Sequence, residues 1–194
     1  MFEFTRHTKR DYLNVCLALY CLLGKIRKDG ILSIEADIEV KDVSAHPQNP
    51  LRYLAGYPRE LELITDMFRM LLSQNMNPFE LEVVLDDATQ GYVRAAGFFN
   101  RGDRTMFKLI SRILVANLQG YAPGLAVEMG RHVLLGLNKP SFDELEKFIK
   151  TRTGQQATAA KVEDLHAHVE SYVAAVAGEA PKAEAGPAHE PKPD

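Results

Sequence analysis

Three features of the sequence predict an all-α protein, a compact bundle of about seven helical segments with a disordered C-terminal tail. Apolar residues recur at spacings of three and four along most of the chain, the period of a helix that buries one face. Start and stop signals punctuate those stretches at Asn77-Pro78-Phe79-Glu80, Gly120-Tyr121-Ala122-Pro123 and Lys139-Pro140-Ser141-Phe142-Asp143-Glu144. No segment alternates apolar and polar residues as a half-buried strand would.

The first helix is expected from Asp11, where Tyr12, Cys16, Leu19, Leu23 and Ile26 form a single buried stripe. Gly30 takes the next place on the stripe, and Ile34 and Ile38 resume it. This predicts one long helix or two nearly collinear ones, with Gly30 as a weak point or a close contact. His46, Pro47, Asn49 and Pro50 then break the pattern, because a residue before proline is pushed out of helical geometry. Pro58 suits the first turn of the next helix, which Leu61, Ile64, Phe68, Leu71 and Leu72 carry to about Asn75.

Asn77 is expected as an N-cap, Pro78 as the first helical residue and Glu80 as the capping partner. That helix directs Leu81, Val84 and Leu85 inward and leaves Glu80, Glu82, Asp86 and Asp87 outside. From 90 to 104, three glycines, Asn100 and the Phe98-Phe99 pair interrupt the period, and a linker is expected there. Helical signals return with Met106, Leu109, Ile110, Ile113 and Leu114 and stop at Gly120 to Pro123. Leu125 to Leu135 is again helical, and Ser141 with Glu144 three residues on opens another helix by a capping box. Beyond a break at Gly154, Val162, Leu165, Val169, Tyr172 and Val176 predict a last amphipathic helix, and 178–194 lacks the large apolar residues a core requires.

A chain of 194 residues can bury a sizeable core in one domain plus tails. A net charge of −3 provides no field to attract nucleic acid, and no aromatic-studded basic strand offers bases a stacking platform, so nucleic acid is set aside. Cys16 and Cys21, five apart on a helix, fit neither zinc nor redox spacing and read as reduced core thiols in a cytosolic setting. The longest apolar run, Val15 to Leu23, falls well short of the ~20 residues that cross a bilayer, and no signal peptide opens the chain, so a soluble protein is expected. Arg6, His7, Lys9 and Arg10 form a small basic cluster, expected as a solvated terminus, with a lipid-facing role as the alternative.

Tests for chemistry nominate no catalytic, cofactor or metal residue. His166 and His168, two apart on a helix, point about 200° apart and cannot share a metal. The acids Glu80, Glu82, Asp86 and Asp87 read as a solvated face, since carboxylate catalysis needs two acids in differently perturbed environments facing one cleft. Gly91, Gly97 and Gly102 are too scattered to cradle phosphate, and no nucleophile sits in a strained-turn motif. The pattern fits an interaction module with no small-molecule substrate.

The most distinctive charge pattern runs from Lys25 to Glu39, with bases first and acids after. A single helix would prefer the opposite order for its dipole, so solvation or a charged partner is needed to explain it. On such a helix Arg27 and Glu35 stand about two turns apart and roughly 80° around, too far to pair with each other.

Three blocks of sequence resemble the MotA subunit of the bacterial flagellar stator, a relative of the ExbB and TolQ proton-channel proteins. Thr8-Lys9-Arg10 through Arg27-Lys28-Asp29-Gly30-Ile31-Leu32-Ser33-Ile34-Glu35 to Ile38-Glu39 is similar to the segment after that family's second membrane helix. Asn75-Met76-Asn77-Pro78-Phe79-Glu80-Leu81-Glu82 is similar to the end of its large cytoplasmic loop. Asn117 to Pro123, Ala126 to Arg131, Lys139-Pro140-Ser141-Phe142 and Leu145-Glu146 are similar to its C-terminal cytoplasmic segment.

The resemblance implies a loop-like helical segment over 1–89, a linker over 90–104 where the family has two membrane helices, C-terminal helices over 105–177 packing on the first segment, and a tail over 178–194. It implies that Arg27 and Glu35 match the charged pair used against the rotor switch protein, and that Gly30, Pro78, Gly120, Tyr121, Pro123 and Pro140 are motif residues of the scaffold. MotB-like and further MotA-like subunits are the implied partners, at the cytoplasmic face of the inner membrane, with no enzymatic activity and no cofactor.

The family's membrane helices have no counterpart here, so ion conduction is not expected of this chain alone. A short linker engineered in place of the membrane hairpin and a naturally shortened homologue both fit such a chain. A membrane-free scaffold or regulator of rotor or stator partners is the alternative function, and a monomer or weak oligomer is expected.

Overall fold

The computed structural model describes residues 7–73, 76–96 and 101–154. They belong to the first of two units, Met1–Gln155 and Gln156–Asp194. The predicted last helix, the tail, and His166 and His168 lie outside the described residues.

Among the described residues there are seven α-helices and no strand, as the sequence predicts: α1 (Lys9–Asp29), α2 (Glu35–Ile38), α3 (Pro58–Ser73), α4 (Pro78–Ala96), α5 (Arg101–Leu118), α6 (Pro123–Arg131) and α7 (Phe142–Thr153). Short 3-10 turns occupy Ile31–Ile34, Val43–Ala45 and Pro50–Leu54. No helix among the described residues is long and apolar enough to cross a membrane.

α1 begins at a reciprocal cap. The Asp11 amide donates to Thr8 Oγ1 (3.4 Å) and the Thr8 amide donates to Asp11 Oδ2 (2.7 Å), satisfying two N-terminal donors. Its burial differs from the expected single stripe: Val15, Cys16, Leu17, Ala18 and Leu19 are all buried in succession. The physical reason is that α1 is the centre of the bundle, enclosed by α5, α6, α7 and the turns at 31–34 and 50–54. In the last of these turns Asn49 accepts from the Leu51 amide (2.8 Å), Pro50 starts the turn, and Leu51 and Leu54 are buried.

α1 does not continue through Gly30, which corrects the expectation of one long helix and leaves Gly30 as the break between two. Gly30 adopts φ 83° and its amide donates to the Ile26 carbonyl (2.8 Å), so the chain leaves the helix there. A Cβ at Gly30 would meet nothing within 4 Å, so the glycine serves backbone conformation and not a close contact. Ile34 and Ile38 are buried, but from a 3-10 turn and a four-residue helix.

Pro58 is the first residue of α3. The predicted cap of α4 forms, with the Glu80 amide donating to Asn77 Oδ1 (3.0 Å) and the Asn77 amide to Glu80 Oε2 (2.9 Å). Leu81 and Leu85 are buried, while Glu80, Glu82, Asp86 and Asp87 are exposed. The stretch expected as a linker is helical over its described residues, because α4 extends to Ala96 and α5 starts at Arg101. Gly91 costs such a helix only about 1 kcal/mol and stops nothing.

Met106, Leu109, Ile110, Ile113 and Leu114 of α5 are buried. α5 ends where Gly120 takes φ 93°, the Tyr121 amide donates to the Ala116 carbonyl (3.1 Å) and the Gly120 amide to the Asn117 carbonyl (2.9 Å). Pro123 opens α6, which stops at Arg131, so the helical expectation to Leu135 is corrected: Gly136 at φ 78° lies in a non-helical turn. Gly130 of α6 packs directly on Ile113 and Leu109 of α5. The Ser141 box forms as expected, with the Glu144 amide donating to Ser141 Oγ (3.1 Å), and α7 ends at Gly154 with φ 68°.

Candidate functional site

The break at Gly30 gives the charge pattern of 25–39 a local cause that a single helix could not supply. Arg27 and Lys28 occupy the last turn of α1, and Glu35 and Asp37 the first turn of α2. Each set therefore complements the dipole of its own helix, and the two-turn spacing expected for Arg27 and Glu35 on one helix does not apply.

The stretch is anchored from below. Lys25 Nζ donates to Asp37 Oδ2 (2.6 Å) in a partly buried ion pair. Asn49 Nδ2 donates to the Asp37 carbonyl (2.8 Å) and Arg69 Nη2 to the Ile38 carbonyl (3.2 Å). With Ile34 and Ile38 buried, these contacts fix α2 against α1 and α3 and leave Arg27, Lys28, Glu35 and Glu39 in solvent. Among the described residues neither Arg27 nor Glu35 has an ion-pair partner. Leu32 stands between them in the sequence, 72% exposed, an apolar spot that periodicity assigns to no face.

The remaining motif residues hold the scaffold. Pro78 begins α4, and Gly120, Tyr121 and Pro123 make the turn between α5 and α6. Buried Pro140 presents its carbonyl to Arg131 Nη1 (3.1 Å), while Arg131 Nε donates to both carboxylate oxygens of Glu128 (2.9 and 2.8 Å). The Glu128 hydrogen bonds, opposed by burial, push the Arg131 guanidinium above its ordinary range.

At the start of α1, where the sequence predicts a solvated basic terminus, the structure corrects that expectation for His7 and buries it in a polar cluster. His7 is buried, with Nε2 3.4 Å from Oε1 of buried Glu60 and its ring beside Tyr12 and Tyr57. Tyr57 donates its hydroxyl to Asp11 Oδ1 (2.5 Å) and receives from Asn14 Nδ2 (3.3 Å). Burial acts to raise the Asp11 pKa, but hydrogen bonds from Tyr57 and Thr8 outweigh it and hold the carboxyl below the usual value. The local sequence shows His7 only as one of a basic cluster; its burial depends on Glu60, more than fifty residues away.

The acidic face of α4 borders a groove of about 860 Å³, which the sequence did not anticipate. Glu82, Asp86 and Asp87 of α4, Lys108, Arg112 and Val115 of α5, and Met129 and Val133 are among the residues that line it. The three carboxylates are all exposed on one helix face, so the groove does not set an acid apart from a base. Among the described residues no group of three His, Cys, Asp or Glu could hold a metal ion.

Comparison with known proteins agrees with the resemblance read from the three blocks. The chain is 26% identical to motility protein A of Escherichia coli K12 over 234 aligned positions, covering 81% of this chain and 77% of that protein. It is 26% identical to motility protein A of Salmonella typhimurium LT2 over 225 positions, covering 77% and 74%. Both alignments are longer than the 194-residue chain, so the relatives carry interior stretches without a counterpart in it. No family model and no solved structure matches the chain.

Proposed function

We propose, from the premise that the chain is MotA-like, that it serves in flagellar motility as the cytoplasmic, rotor-facing part of a stator subunit. The observation that carries this reading is the likeness to motility protein A over about four-fifths of the chain. Arg27 and Glu35 are assigned the rotor contact, non-enzymatically, by complementarity to charges on the switch protein. Supporting this assignment, both are exposed on a segment that the Lys25–Asp37 pair holds in place, and neither is engaged in an ion pair among the described residues. Exposed pairs contribute about 0.2–1 kcal/mol each and weaken with salt, which suits a contact that must form and release repeatedly. MotB-like and other MotA-like subunits are the proposed companions, at the cytoplasmic face of the inner membrane, and ion conduction is not ascribed to this chain.

Binding of the full chain to the rotor switch protein tests the assignment. Arg27→Glu is expected to weaken it severalfold, and a reversal of the complementary charge on the switch protein to restore it. Unchanged binding in both cases would sink the assignment.

The second reading is a MotA-like scaffold or regulator that binds rotor or stator partners without producing torque. Restoration of swimming in cells lacking their own motility protein A would exclude it.

A further inference from the structure

The segment that carries Arg27 and Glu35 has an inner pair of charges as well as an outer one. Lys25 lies two residues before Arg27 on α1, and Asp37 two residues after Glu35 on α2. Two residues turn a helix by about 200°, so on each helix the inner and outer charges face nearly opposite ways. Arg27 and Glu35 are accordingly exposed, while Lys25 Nζ donates to Asp37 Oδ2 at 2.6 Å with the two side chains 35% and 14% exposed.

The placement of Glu35 relative to Arg27 depends on such a tie. α2 has four residues, about one turn, and is too short to persist as a helix on its own. The joint at Gly30 lends it no packing, since a Cβ there would meet nothing within 4 Å. Buried Ile34 and Ile38 hold the segment to the core, but apolar burial has no directional preference. Direction comes from three polar contacts: Lys25 to the Asp37 carboxylate, Asn49 to the Asp37 carbonyl and Arg69 to the Ile38 carbonyl. Asn49 precedes the turn at 50–54 and Arg69 belongs to α3, so of the three the Lys25–Asp37 pair alone ties α2 to the helix that bears Arg27. The exposed charges nearby in sequence, Lys28, Asp29, Glu39 and Lys41, have no ion-pair partner among the described residues, so none of them duplicates the tie.

We propose that Lys25 and Asp37 are positioning residues for the rotor contact: their ion pair fixes the separation and direction of Arg27 and Glu35, so that charges on two helices meet the partner as one unit. The proposal rests on the reading of Arg27 and Glu35 as the contact with the switch protein. Holding both charges in place beforehand removes an ordering cost that loose charges would meet at every encounter. The inner pair is partly withdrawn from water, so salt screens it less than the exposed contact it supports, and the surface keeps its shape while the contact releases.

A cycle of variants of the full chain, titrated with the switch protein, tests this. Lys25→Met keeps the apolar stem and removes the charge, and Asp37→Asn keeps the shape of the carboxylate without its charge. Each is expected to weaken binding severalfold, and neither by more than Arg27→Gln/Glu35→Gln, because positioning cannot lose more than the charges it positions. In the background of that double variant, Lys25→Met should have no further effect. Hydrogen exchange supplies a reading without the partner: both inner variants should speed exchange of the amides of 35–39 severalfold and leave those of 15–19 at the parent rate.

Parent-like binding by either inner variant, while Arg27→Gln/Glu35→Gln binds weakly, would overturn the positioning role and leave the rotor reading standing. An equal loss from Lys25→Met with and without the outer charges, faster exchange throughout α1, or unchanged exchange at 35–39 would overturn it as well. Parent-like binding by Arg27→Gln/Glu35→Gln would instead remove the rotor reading, and the positioning role with it.

Discussion

Replacing Gly130 with alanine tests how closely α5 and α6 must approach. Gly130 has no positive φ, so alanine suits its backbone, but the new Cβ would overlap Ile113 Cγ1 and lie 2.9 Å from Ile113 Cδ1 and 3.2 Å from the Leu109 carbonyl oxygen. Ile113 is fully buried and cannot swing away into solvent. Overpacking of this kind costs about 1–3 kcal/mol, and the better helix propensity of alanine returns at most about 1 kcal/mol. With the full propensity gain realised, the net loss of about 0–2 kcal/mol should lower the thermal midpoint by up to about 8 °C in a chain of this size.

The sharper reading comes from a second site. Ile113→Ala alone opens a cavity and costs about 2–5 kcal/mol, but it also removes the two atoms that obstruct the alanine. Urea unfolding of the four proteins of the cycle, followed by far-ultraviolet circular dichroism, should therefore give a double variant about 1–3 kcal/mol more stable than the sum of the single losses. Additivity within about 0.5 kcal/mol, or a Gly130→Ala variant more stable than the parent, would refute the close-approach argument.

Ser141→Ala should cost about 1 kcal/mol through loss of the α7 cap, and Ser141→Asp should recover most of it; equal thermal midpoints for all three would contradict the capping geometry. Burial, assisted by the nearby Glu128 carboxylate and opposed by Arg131, pushes the Cys16 thiol up to about 12, and burial raises Cys21 against the opposing effect of Arg52. In the native protein Cys21 should react slowly with Ellman's reagent and Cys16 only after denaturant is added; two rapidly titrating thiols would show that α1 is not enclosed. Asp11 is held below its unfolded value of about 3.9, so its contribution to stability is present above that pH and is lost as pH falls through the folded value. Asp11→Asn should flatten the decline of urea stability in that acid range, and superimposable acid profiles would rule the effect out.

The parts of the fold that were legible in the sequence are those set within four residues. Asn77-Pro78 with Glu80, Ser141 with Glu144, and Gly120 with Pro123 each carry both members of their own capping or turn interaction, so the pattern alone locates them. Gly30 misled because Ile34 and Ile38 are buried from the turn and the short α2, so their spacing mimics the stripe of a continuous helix. The stripe on α1 understates its burial, since a central helix is covered on several sides by elements far along the chain. The burial of His7 and the groove beside Asp86 depend on the register of distant helices, which no local spacing encodes.

The enclosure of α1 also bears on how the protein is made. The residues from Val15 to Leu19 leave the ribosome well before α5, α6 and α7, which cover them and lie after residue 100. At about 5–20 residues per second the chain needs on the order of ten seconds to supply those covers. Through that interval an apolar helix waits for partners of large sequence separation, the kind of closure that is slow to nucleate and prone to aggregation. A chain released before α7 is complete should therefore expose residues 12–23, and truncation after α5 is expected to aggregate where the full chain does not.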